Sequence, residues 1–200
     1  MPVQVGIYIF DNVEVLDFAG PYEVFTCASR VHRGEPALFN VFTIGETQET
    51  VHARAGLKLT PEVTIANAPP IDCLIIPGGV VDAELKKDHV IAWIRQQSFT
   101  TAITASVCTG AFLLARAGIL SDKAATTHWE DIADLRTMFP QLAVKESVRW
   151  VDEGPIVSSA GISAGIDMCL HLVERFSDRA LAERTAKQLA FDWTENTPGV

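Results

Sequence analysis

Basic residues are scarce in this chain: 16 lysines and arginines stand against 25 aspartates and glutamates, a net charge of -9 over 200 residues. Such a surface repels a phosphate backbone and offers no basic stripe, so no nucleic-acid partner is expected. Long apolar runs are missing too. The charge-free stretch from Phe99 to Ala115 holds four threonines, a serine and a glycine, and it falls short of the roughly 20 apolar residues that cross a bilayer. The opening residues, MPVQVGIYIFDNVEVLDF, have no basic segment ahead of their apolar run and meet acidic residues soon after it, unlike a secretory signal. Cysteine is sparse and unpatterned. Cys27, Cys73, Cys108 and Cys169 form no CxxC and no cysteine–histidine ligand spacing, so neither a metal site nor a disulfide framework is predicted. These absences point to a soluble, cytoplasmic protein with free thiols and no membrane partner.

What is present is apolar sequence in short blocks. Hydrophobic residues make up 48% of the chain and charged residues only 20%, a balance that suits strands covered on both faces in one domain over residues 1–200. Val3–Phe10, Ala37–Gly45, Asp72–Gly79 and Thr100–Val107 read as buried strands, and Lys123–Trp129 as another. Between them, residues 14–32 show helical spacing at Val24, Phe25 and Ala28, with Pro21 expected in the first turn and Asp17 just ahead of it. Asp82–Gln97 places Val90, Ile91 and Ile94 on one helical face, and Glu130–Phe139 reads as a further helix. Ser147–Gly161 looks like a hairpin turning at Asp152–Pro155. Two helices finish the chain, the last running through Leu181, Thr185, Leu189 and Trp193. Strands alternating with crossover helices predict an α/β fold with a doubly wound, mostly parallel sheet, which takes ligands at the carboxyl ends of its strands.

Cys108 falls at that edge, in TAITASVCTGAFLL, between an apolar strand and a helix that Gly118 stops. Ser106 and Gly110 flank it in the spacing of a nucleophile elbow, where small residues let the backbone turn sharply. The helix beginning behind the sulfur is expected to favour thiolate; the alternative is a cysteine that merely ends a buried strand. Gly78–Gly79 closes the neighbouring strand, either as an ordinary tight turn or as backbone donors for a developing oxyanion. Asp17 reads as a helix cap or as a carboxyl that moves a proton near the sulfur. His128 is placed at the same edge, where it could orient or protonate near the thiol. Trp129 reads as core rather than as substrate wall. His32, His52, His89 and His171 are surface or packing residues.

VLDFAGPYEVF, DCLIIPGG, SVCTGAFLLARAGIL, ATTHW and SAGISAGIDMCLHLVE together resemble the ThiJ/PfpI superfamily, related in fold to the type I glutamine amidotransferases. The isocyanide hydratase branch and the sensor domains of AraC-type regulators are the most similar. The resemblance implies a flavodoxin-like α/β/α sandwich, usually dimeric, with Cys108 as nucleophile, Asp17 as the nearby carboxylate, Gly79 (beside Gly78) and Thr109 at the oxyanion position and His128 in support. It implies hydration of a small-molecule isocyanide to an N-substituted formamide, without metal or organic cofactor. A redox or small-molecule sensor is the alternative reading. Amidase, protease and deglycase activities are disfavoured: Thr109 stands where those branches carry histidine, and Asp17 where the stress-response branch carries glutamate. The substrate chamber is expected to depend on the Val80–Leu85 loop.

Overall fold

A computed structural model describes residues 1–32, 34 and 36–196, so the end of the span expected to form one domain lies outside the described residues. In chain order the elements are β1 (Val3–Tyr8), α1 (Val15–His32), β2 (Phe39–Gly45), β3 (Val51–His52), β4 (Lys58–Leu59), β5 (Val63–Thr64) and β6 (Cys73–Ile76). There follow α2 (Asp88–Ser98), β7 (Ile103–Val107), α3 (Gly110–Arg116), β8 (Ala124–Ala125), α4 (Ile132–Met138) and β9 (Ala143–Val144). The chain ends with β10 (Trp150–Asp152), β11 (Ile156–Ser159), α5 (Ala164–Phe176) and α6 (Arg179–Gln188). Seven strands form one sheet in the order β10-β11-β7-β6-β1-β2-β5. All its neighbours run parallel except β10, which pairs antiparallel with β11 as the expected hairpin.

The central strands are buried on both faces, which is why they carry no charged residue: every residue of β6 and β7 is inaccessible or nearly so. Leu74, Ile75 and Ile76 are wholly covered, and each such side chain contributes about 2 kcal/mol by leaving water. Helices α1, α5 and α6 pack as one layer and α2 with α3 as the other, flanking the sheet. Cys27, Cys73 and Cys169 are fully buried within this core, as expected of small apolar side chains.

Several boundaries differ from expectation. Helix α1 begins at Val15, so Asp17 lies inside its first turn and Pro21 inside the helix. The cause is tertiary. Residues 12–14 lie across Gly78–Val80, with Glu14 N–H bonded to Gly78 O at 2.9 Å and Val80 N–H to Asn12 O at 3.1 Å, and the chain turns from that bridge directly into the helix. The expected strand Lys123–Trp129 shrinks to β8, which pairs with β9 in a separate two-stranded ribbon rather than joining the main sheet. The helix expected over 82–97 splits into a 3-10 turn at Glu84–Lys86 and α2. Helix α6 stops at Gln188, leaving Trp193 beyond it.

The segment after α6 folds back onto the hairpin edge. Asn196 accepts from the backbone N–H of Arg149 at 2.8 Å and of Trp150 at 3.3 Å, and donates to Trp150 O at 2.7 Å. Buried Asp167 accepts from Thr194 N–H at 2.7 Å and is ion-paired with Arg149. Among the described residues, no helix is long and apolar enough to cross a membrane.

Candidate active site

Cys108 leaves β7 with φ +55°, a left-handed conformation that an L-residue adopts only where its surroundings impose it. Those surroundings are visible. Cys108 N–H donates to Ser159 O at 3.2 Å on β11, and Thr127 Oγ1 donates to Cys108 O at 2.9 Å. Two residues on, a Cβ at Gly110 would run into the carbonyl oxygen of Ile76. Only glycine lets the elbow pass that close to β6, which accounts for the small-residue spacing read from sequence.

Asp17 reaches the elbow from α1. Its side chain is fully buried; Oδ2 accepts from Gly78 N–H at 3.0 Å, while Oδ1 has no hydrogen-bond partner. Burial pushes the carboxyl up to about 7, helped by the charge of Glu14 and opposed by the Gly78 amide, the Cys108 thiol and Arg54. The thiol is also pushed up, first by burial and then by Asp17 and Asp131, with the Thr109 amide and hydroxyl acting the other way. The expectation of a resting thiolate is therefore corrected: two carboxylates and exclusion of water outweigh the start of a helix only seven residues long. Near pH 7 the sulfur therefore holds its proton, while Asp17 stands between its protonated and ionised forms.

The glycine amides are occupied. Gly78 N–H holds Asp17, and Gly79 N–H donates to Thr109 Oγ1 at 2.9 Å, whose own hydroxyl donates to Gly79 O at 2.9 Å. Gly79 takes φ +136° where it crosses the Asn12 backbone, a position closed to any Cβ. The Thr109 amide, with its hydroxyl, is left to favour negative charge on the sulfur.

A cavity of about 320 Å³ opens over the thiol, lined by Glu14, Arg54, Gly79, Cys108, Thr109, His128, Glu130, Asp131 and Ile162. A second, of about 390 Å³, shares Gly79, Thr109 and Asp131 with it and extends beneath Val80, Val81, Asp82 and Leu85 towards Phe112, Asp134 and Met138. The Val80–Leu85 loop thus lines this second cavity and not the one over the thiol. His128 stands at the start of a 3-10 turn rather than on a sheet strand, with Nδ1 3.4 Å from Asp131 and 3.7 Å from Glu130. Trp129 is not core: it is 76% exposed and lies against His128 at 5.7 Å between ring centroids. Sequence reasoning missed Glu14, Arg54, Thr127, Asp131 and Ile162. Of these, Asp131 left a trace in its spacing of three from His128, and Thr127 directly precedes that histidine. Among the described residues, no cluster of histidine, cysteine and carboxylate could hold a metal ion.

Residues 3–175, which include the strained cysteine, the glycine pair and the buried carboxyl, match one family model, that of the DJ-1/PfpI family. The chain belongs to the DJ-1/PfpI family. Among curated members it is 32% identical to the isonitrile hydratase of Pseudomonas putida over 192 residues, covering 96% of this chain and 79% of that one. It is 30% identical over 196 residues to the HTH-type transcriptional regulator GbdR of Pseudomonas aeruginosa, of which it spans 52%. The chain therefore covers about half the length of that regulator. Its fold matches a ThiJ/PfpI family protein from Pseudomonas syringae at TM-score 0.84 and 24% identity, covering 99% of this chain and 78% of that one. Drosophila melanogaster DJ-1beta matches at 0.83 and 18%, over 96% of this chain and all of that one. These two likenesses concern the fold alone, which is the flavodoxin-like sandwich expected of a DJ-1/PfpI domain.

Proposed function

We propose that this DJ-1/PfpI domain hydrates an isocyanide, R–N≡C, to the formamide R–NH–CHO, with Cys108 as nucleophile and Asp17 as proton carrier. The observation that carries the reading is the pairing of a strained thiol with a buried carboxyl whose Oδ1 lacks a partner and whose pKa is about 7. Such a carboxyl both takes and returns a proton at neutral pH.

The Cys108 proton passes to Asp17 as sulfur bonds to the terminal carbon; the lone pair left on that carbon takes the proton back, giving the thioimidate R–N=CH–S–Cys108. Asp17 then removes a proton from water as the water oxygen adds to the same carbon, and passes that proton to the nitrogen, which leaves the carboxylate ionised again. Collapse of R–NH–CH(OH)–S–Cys108 breaks the carbon–sulfur bond, returns the hydroxyl proton to sulfur and releases the formamide. Charge developing around the sulfur and the reacting carbon meets the Thr109 amide, while the Gly78 and Gly79 amides keep Asp17 and Thr109 in place. His128, held between Glu130 and Asp131, closes one side of the chamber. A neutral electrophile suits walls that carry Glu14, Asp82, Glu130, Asp131 and Asp134 against Arg54 and His128.

The test is formamide production from cyclohexyl isocyanide, followed by mass spectrometry. Cys108→Ala is expected to abolish it; turnover that survives this change sinks the proposal. The match to regulators supports a second reading, a sensor of a small molecule or of oxidant. Under that reading dilute peroxide adds oxygen to Cys108, visible by intact mass, in a protein that turns over no isocyanide.

A further inference from the structure

The wall of the second cavity has little regular structure of its own. The chain leaves β6 through Gly78–Gly79, makes one 3-10 turn at Glu84–Lys86 and enters α2 at Asp88. Val80, Val81, Asp82 and Leu85 of this segment line the cavity, which adjoins the Cys108 chamber at Gly79, Thr109 and Asp131. A segment of this kind takes its position from whatever anchors it.

One anchor is the Val80 N–H bond to Asn12 O; the other, farther along the segment, is a buried carboxyl group. Glu84 is 2% exposed, although a carboxylate is tolerated in such a place only when its partners are complete. Tyr8 Oη, at the carboxyl end of β1, donates to Glu84 Oε2 at 2.7 Å. Lys87 Nζ donates to Glu84 Oε1 and to Glu46 Oε2, each at 2.6 Å, and Glu46 directly follows β2. One carboxylate thus ties the cavity wall to the ends of two neighbouring strands, and Glu84 itself does not line the chamber over the sulfur.

We propose that Glu84 is a positioning residue: held by Tyr8 and Lys87, it fixes the Val80–Leu85 wall and so sets the size of the group that the thiol site accepts. This rests on the reading of Cys108 as the nucleophile. A firm wall both restricts entry and grips a bulky substituent. Loosening it admits large reagents faster and holds large substrates less tightly, while the bond-making step at Cys108 is left alone.

The experiment compares the unaltered chain with Glu84→Gln, which keeps an acceptor for Tyr8 and loses the ion pair with Lys87, and with Tyr8→Phe, which does the reverse. Two readouts are taken: labelling rates of Cys108 with iodoacetamide and with N-phenylmaleimide, and kinetics on methyl and cyclohexyl isocyanide. In both variants the maleimide-to-iodoacetamide rate ratio is expected to rise several-fold, and KM for cyclohexyl isocyanide roughly tenfold, with kcat and the methyl isocyanide KM within about twofold. A purely structural role would instead lower activity on both substrates together. That result, or an unchanged labelling ratio in folded variants, overturns the proposal. If Glu84→Gln does not fold, Tyr8→Phe decides. If neither isocyanide is turned over by the unaltered chain, the hydratase reading falls and the labelling ratio alone judges the wall; if neither reagent labels Cys108, both fall.

Discussion

Replacing Asp17 by asparagine removes a buried carboxyl that folding has moved from 3.8 to about 7. A displacement of that size links on the order of 4 kcal/mol of stability to one proton. The sign follows from which form burial prefers. The folded state binds the proton more tightly than the unfolded chain, so the stabilisation is fully present in acid, below the unfolded value, and is lost as pH rises from about 4 through about 7. The amide of the Asp17→Asn variant does not titrate and has no such dependence. Other ionisable groups titrate in both proteins and cancel in the comparison, and the thiol, which is pushed up, stays protonated in this window. Urea denaturation of both proteins between about pH 5 and pH 8 is therefore expected to show the stability difference moving by about 2–3 kcal/mol in favour of the variant, then levelling off. A gap that stays constant over that range would refute the account of Asp17 as a buried carboxyl that titrates near neutral pH beside a protonated sulfur, whatever the substrate.

The charge of the chamber gives a second expectation. A cationic methanethiosulfonate reagent should modify Cys108 at least about tenfold faster than an anionic one, relative to a free thiol, and the preference should shrink at high salt; equal rates at low salt would contradict the acidic lining. Thr127→Val keeps the shape of a side chain that is 1% exposed but removes the donor to Cys108 O. It is expected to cost about 1 kcal/mol in denaturant unfolding, because Cys108 O then keeps only its longer bond from Ala111 N–H, at 3.3 Å, at a strained residue. An unchanged midpoint would show that Ser159 and Gly110 suffice to hold the turn.

The centre of the site was legible because it is written in local rules. The run ending at Val107 had to be a covered strand, and Ser106 and Gly110 announce a turn tight enough for Gly110 to press on β6. The turn of the β10–β11 hairpin is equally local, with Gly154 at φ +81°. The rest of the chamber depends on distant contacts. Arg54 arrives on the turn between β3 and β4, two-residue strands too short to show a period. The position of Asp17 follows from the bridge between Val13 and Gly79, which no spacing within residues 10–25 reveals. The protonation of the thiol was misjudged for the same reason: the start of a helix can be seen in a sequence, whereas the burial of Asp17 beside the sulfur cannot. Trp129 reads as core from its chemistry, yet the chain turns at His128 and leaves the indole facing outwards.

The fold-back of residues 193–196 has a consequence for association. Trp150 begins the outermost strand on its side of the sheet, and Asn196 occupies both its donor and its acceptor. Cut away before Trp193, the same strand would present a bare amide and carbonyl to the solvent, an invitation for a stranger's backbone to zip on. With a single asparagine side chain standing in for the missing neighbour, that margin is closed to recruitment at its first rung.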